Sequence, residues 1–132
     1  MATPVRLVGW KLWAGRILAA IPALMLLISG VIKIMRGPMV VSSFTNQFGY
    51  PACAVVPIGL LELICVILYL IPRTTVLGAI LVAGYFGGAI ATHLRIGDPS
   101  LIGPLILGVM AWGGLYLREP RLHALLPLVK RA

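Results

Sequence analysis

Residues 52–71 form an apolar run broken near its middle by a single carboxylate, Glu62. As a helix rising about 1.5 Å per residue, the run is long enough to cross a hydrocarbon core of about 30 Å, which places Glu62 roughly halfway through. An ionised carboxylate at that depth costs about 3 kcal/mol. The residue must therefore turn inward to a partner, take up a proton, or serve a ligand. The other segments read as walls around that acid.

The rest of the chain has the same apolar character. Hydrophobic residues make up 61% of the 132 positions and charged residues only 11%, against about a quarter in a soluble domain, and Glu62, Asp98 and Glu119 are the only acids. This is the composition of an integral membrane protein. One domain is expected, because the spans use up the length. A net charge of +8 raises the question of nucleic acid. The basic residues, however, flank apolar runs instead of lining one face, so they read as topogenic charges and no nucleic-acid partner is expected. Cys53 and Cys65 lie on one predicted helix, roughly 18 Å apart along its axis, too far to bridge each other. Both read as small packing residues.

Four spans are predicted, over residues 16–35, 52–71, 74–94 and 100–117. They imply an all-α antiparallel four-helix bundle with both termini on one side. The terminal side holds Arg6, Lys11, Arg16, Arg73, Arg118, Arg121, Lys130 and Arg131, and the other side Lys33, Arg36 and Arg95. That bias makes the termini cytoplasmic. Residues 1–15 mix Trp10 and Trp13 with Arg6 and Lys11 as an interfacial anchor would, and lack a cleavage signal, so the segment is expected to be retained.

In the connector after the first span, Val41, Phe44 and Phe48 recur at helical spacing opposite Ser42 and Asn46. This predicts a short helix lying in the outer interface, acting as a lid or as simple cover for helix ends. On the third span, Gly84-x-x-x-Gly88 and Ala83-x-x-x-Gly87 leave one side nearly bare. With Gly30 on the first span, Gly84, Gly87 and Gly88 read as helix-packing positions, inside the bundle or against a partner or second copy.

Counting from Arg16, Arg73 and Arg118 at the cytoplasmic interface, Glu62 lies roughly 16 Å up, Tyr85 about 18 Å and Ser29 about 20 Å. These three share a level. Lys33 lies one turn above Ser29, and either snorkels to the outer headgroups or turns inward to orient a ligand. Thr92 shares the face of Tyr85, and His93, with its near-neutral titration, is the second candidate proton carrier near the outer end. The polar atoms converge on the outer half, and Tyr69 is the main polar side chain of the other half. Two histidines on opposite sides of the membrane and one mid-depth carboxylate make no metal site. No phosphate loop or catalytic triad is present.

Taken together, Gly15-Arg16, Ser29-Gly30-x-x-Lys33, Phe48-Gly49-Tyr50-Pro51, Pro57-Ile58-Gly59-x-x-Glu62 and Ala91-Thr92-His93 resemble the DoxX-like four-helix membrane proteins over nearly the whole chain. That superfamily includes a subunit of a thiosulfate:quinone oxidoreductase, partners in membrane redox-stress complexes, and eukaryotic cargo receptors and assembly chaperones. The resemblance implies a bundle in a bacterial inner membrane, with Gly30, Lys33, Glu62 and His93 at the family's glycine-lysine, glutamate and histidine positions. There is no Cys-x-x-Cys of the kind thiol-oxidising membrane relatives use, so disulfide exchange is not expected.

The expectation is a lipophilic ligand, a quinone or a lipid, held in the outer half by Glu62, His93, Lys33, Tyr85, Ser29 and Thr92. Any enzymatic role would be that of an accessory subunit of a quinone-linked oxidoreductase, with a membrane or soluble redox partner. The alternatives are an interaction or chaperone-type protein without small-molecule chemistry, and a proton-coupled transporter or channel working as a homo-oligomer.

Overall fold

The computed structural model describes residues 9–129. Arg6, Lys130 and Arg131, counted in the charge bias, lie outside the described residues. Among the described residues four helices are long and apolar enough to cross a membrane, and the chain is a multi-pass protein of the lipid bilayer. Helix α1 (Gly9–Ile34) leads through a short α2 (Pro38–Ser42) and a wide π turn (Ser43–Gln47) into α3 (Val55–Leu70), followed by α4 (Thr75–Arg95) and α5 (Ile102–Arg118). The helices match the predicted spans closely, except that α1 begins well before residue 16 and takes in Trp10 and Trp13. Both indoles are largely exposed, and the Arg16 guanidinium lies over the Trp13 ring.

Proline shapes several boundaries, because it lacks an N–H and suits the first helical turn. Pro72 opens the 3-10 turn Pro72–Thr74 that reverses the chain between α3 and α4, and Pro99 opens Pro99–Leu101 before α5. In the first turn, Thr74 Oγ1 donates to the Leu68 carbonyl at 2.7 Å and Thr75 Oγ1 to that of Ile71 at 2.9 Å. The Leu68 carbonyl is one that α3 leaves without a helical partner, and the Ile71 carbonyl, which also accepts from the Thr74 amide, closes the turn. Pro22 sits buried inside α1, where neighbouring helices make such a break tolerable.

The four long helices stand in a ring. α1 packs on α3 and α5, and α4 packs on the same two. Small side chains fill the middle, among them Ala19, Ala23, Ala79 and Ala111, while Leu24, Ile64, Ile80 and Val109 project outward as an apolar belt. Without a hydrophobic force between helices in lipid, close backbone approach supplies the contact energy. It occurs at three places. Gly15 meets Gly114, where an added methyl on Gly114 would lie 2.7 Å from the Gly15 carbonyl. Gly30 lies against Gly59 and Leu63, and a methyl on Gly78 would run into the backbone of Leu68 and Tyr69.

The expectation that Gly84, Gly87 and Gly88 pack inside the bundle needs correction. A side-chain carbon at any of the three would meet nothing within 4 Å. All three are exposed, so the bare face of α4 opens outward instead of receiving a neighbour.

Candidate functional site

The site is built where three helices bring polar atoms to one level. Lys33 ends α1, and its ammonium turns into the bundle instead of toward the headgroups, which corrects the snorkelling alternative: the residue is only 8% exposed. The reason is Glu62 on α3, 1% exposed, whose Oε2 lies 2.6 Å from Lys33 Nζ. A buried charge of either sign is tolerable only with a partner at this range. The same ammonium donates to Ser29 Oγ, one turn earlier on α1, at 2.5 Å and to the Tyr85 hydroxyl on α4 at 3.2 Å. An ammonium has three N–H groups, and all three are now engaged.

On one side of this cluster a cavity of about 480 Å³ opens between α3 and α4. Lys33, Tyr85 and Cys65 lie at its inner wall, Leu61, Leu81 and Gly84 at its flank toward lipid, and Phe44, Phe48, Tyr50, Thr92 and His93 above. A smaller depression of about 340 Å³ on the far flank of α1 also reaches Ser29 and Lys33. The upper wall comes from the connector. Its Phe44 ring lies 5.9 Å from the Lys33 ammonium, close enough for cation–π attraction, and packs on Phe48 and Tyr50.

The connector is fastened to the far ends of α4 and α5. The Tyr50 hydroxyl lies 2.7 Å from Thr92 Oγ1, while Thr92 donates its own proton to the Gly88 carbonyl at 2.9 Å. Tyr50 is therefore the donor in the first contact. Asp98 gathers three more groups: Gln47 Nε2 donates to its Oδ2 at 3.1 Å, His93 Nδ1 lies 3.1 Å from the same oxygen, and the Ser100 amide donates to Oδ1 at 2.9 Å. The Ser100 hydrogen bonds first, and His93 after them, hold the Asp98 carboxyl below its ordinary value of 3.8. Asp98 Oδ2 accepts from His93 Nδ1 when that nitrogen carries a proton. Arg95 donates to the Phe48 carbonyl, and the Phe48 ring meets His93 edge-on at 5.2 Å.

Of the residues singled out from sequence, Ser29, Lys33, Glu62 and Tyr85 thus meet directly. Thr92 and His93 line the same cavity but bond to Tyr50 and Asp98. Gly84 and Gly88 also line it, and Gly30 lies behind it against Gly59. Sequence reading passed over Tyr50, Gln47, Asp98 and Cys65 as site residues. The spacing Asp98-Pro99-Ser100 carried a signal for one of them, since an aspartate two residues before a free amide is a helix-capping pattern. Among the described residues no three potential metal ligands come together, and Cys53 and Cys65 are both free.

At the opposite end of the bundle the chemistry is structural. The Tyr69 hydroxyl donates to the Ala111 carbonyl at 2.6 Å, and Arg118 lies against the Tyr69 ring while its Nε donates to the Gly114 carbonyl.

A family model described as the DoxX-like family matches residues 17–114, well over half of the chain. Neither the curated proteins nor the solved structures provide a match.

Proposed function

The chain belongs to the DoxX-like family, and from that premise we propose that it is a single-domain membrane subunit holding a lipophilic ligand, a quinone or a lipid, in the cavity between α3 and α4. Its setting is the bacterial inner membrane, with the termini cytoplasmic and α2 with its π turn lying in the outer interface. Glu62 and His93 handle protons or hydrogen-bond ligand oxygens, while Lys33, Tyr85, Ser29 and Thr92 orient the molecule. Its place is in a membrane redox or stress-response assembly with a protein partner. The observation that carries this reading is the buried Lys33–Glu62 pair, whose lysine borders a cavity that opens between α3 and α4. Intramembrane ionisable pairs of this kind mark ligand and proton pathways.

Purified protein should release a quinone-like or neutral-lipid species on solvent extraction, detected by mass spectrometry, and Glu62→Gln should lose it. Identical lipid profiles for the two proteins, with no such species, would end the proposal.

One observation favours a second reading. The bare outward face at Gly84, Gly87 and Gly88 suits a docked helix from a partner or a second copy. Crosslinking in native membranes separates the two: a stoichiometric partner lost in Gly84→Leu yet kept in Glu62→Gln favours docking.

A further inference from the structure

We infer that the cavity takes a lipophile with an uncharged, oxygen-bearing head, a ketone, quinone, ester or alcohol seated on the Tyr85 hydroxyl, and that it rejects anionic heads such as phosphate and carboxylate. This rests on the reading above that the cavity is a ligand site.

The argument follows the protons. Lys33 is the one lysine or arginine lining the cavity among the described residues, and its three N–H groups are spent on Ser29, Glu62 and Tyr85. Its charge is compensated by a carboxylate at 2.6 Å. An arriving phosphate or carboxylate would find no free ammonium or guanidinium donor. It would also stand beside the Glu62 carboxylate in a medium where like charges are poorly screened.

A neutral oxygen meets different terms. The Tyr85 oxygen already accepts from Lys33, so its own proton has two takers, the Glu62 carboxylate beside it and a guest in the cavity. A guest carbonyl accepts that proton. A guest hydroxyl does the same. The other hydroxyls nearby are committed, Thr92 to the Gly88 carbonyl and Tyr50 to Thr92.

The shape agrees with the charge. Leu61 and Leu81, both exposed to lipid, flank the opening between α3 and α4, so a tail leaves sideways into the acyl region while the head points to mid-depth. A head drawn that far from water is affordable when it carries no charge and finds one or two hydrogen bonds.

The test uses the full chain, purified and delipidated, with binding read by native mass spectrometry and by titration. The probes are a decyl-substituted benzoquinone and 1-oleoylglycerol as neutral heads, and oleate and 1-oleoyl-lysophosphatidate as anionic ones. The neutral pair should bind about tenfold or more tightly than the anionic pair. Tyr85→Phe should weaken the neutral pair about tenfold and leave the anionic pair unchanged, as loss of one buried hydrogen bond requires. Glu62→Gln uncovers the Lys33 charge and should raise anionic binding about tenfold above wild type. The double variant Lys33→Met/Glu62→Gln, which leaves no charge exposed, should show no such gain, and with Tyr85→Phe it keeps the test decisive if Glu62→Gln does not fold. Anionic probes binding wild type as tightly as neutral ones, or a Tyr85→Phe protein indifferent to every neutral probe, would overturn the inference while leaving a ligand site standing. No probe binding to wild type at all would overturn the ligand-site reading with it.

Discussion

Toward the termini α3 and α4 touch backbone to backbone at Gly78, whereas toward the connector the same two helices leave Gly84 and Gly88 facing open space beside a cavity of about 480 Å³. Glycine is present in both places, so glycine alone does not specify contact. What differs is the material opposite. At the terminal end the Tyr69 side chain is drawn away to the Ala111 carbonyl, leaving its backbone free to receive Gly78. At the other end Tyr85, Glu62 and Lys33 meet between the helices, and a hydrogen-bonded polar cluster cannot be compressed as an alanine layer can. One end is held by shape and the other by charge and hydrogen bonds.

The sharpest way to break this comparison is to place leucine at each kind of glycine. Gly78→Leu has no room against the Tyr69 backbone and should abolish the folded bundle, seen as loss of a monodisperse peak and of helical circular dichroism in detergent. Gly88→Leu should fold with stability within about 0.5 kcal/mol of wild type. It should nonetheless lose the extracted ligand, because its side chain enters the cavity. Equal damage from both substitutions would show that the two ends do not differ.

Next in size is the ion pair. Lys33→Met leaves Glu62 buried without a counter-charge and should destabilise by about 3 kcal/mol or more in a denaturation series in mixed detergent. Adding Glu62→Gln should restore most of that loss. At the terminal end, Tyr69→Phe removes one neutral hydrogen bond and should cost about 1 kcal/mol by the same measurement, a smaller effect because packing there remains.

The smallest expected effect concerns the connector. The folded-state pKa of Asp98 is depressed, so its contribution is present above the ordinary value of 3.8 and is lost as pH falls through the lower folded value. Hydrogen exchange at the amides of residues 43–50 should quicken on acidification into that range, relative to a buried helix of the same sample. Asp98→Asn should show the quicker exchange already at pH 7, with no further acid step. An unchanged pattern in Asp98→Asn would remove the clasp from the account.

Much of the bundle could be read along the chain because depth in a membrane is nearly a one-dimensional quantity. A fixed rise per residue, with arginines and prolines marking the ends, placed Ser29, Glu62 and Tyr85 at a common level, and hydrogen bonds through Lys33 link all three. Rotation and separation are another matter. Whether Lys33 reaches for water or for Glu62 depends on which helix face it shares with a residue far along the chain. Whether a glycine is covered depends on side chains across the interface, which is why Gly78 is packed and Gly84 is bare.

Composition and spacing alone were therefore enough to indicate a helical membrane protein with four spans and an acid near the middle of the second, because each follows from local hydrophobicity and constant helical rise. The inward turn of Lys33, the gap between α3 and α4, and the fastening of the connector through Tyr50 and Asp98 arose only when distant segments met. Those features are relations between surfaces, set by volume and charge across an interface, and no single stretch of chain contains them.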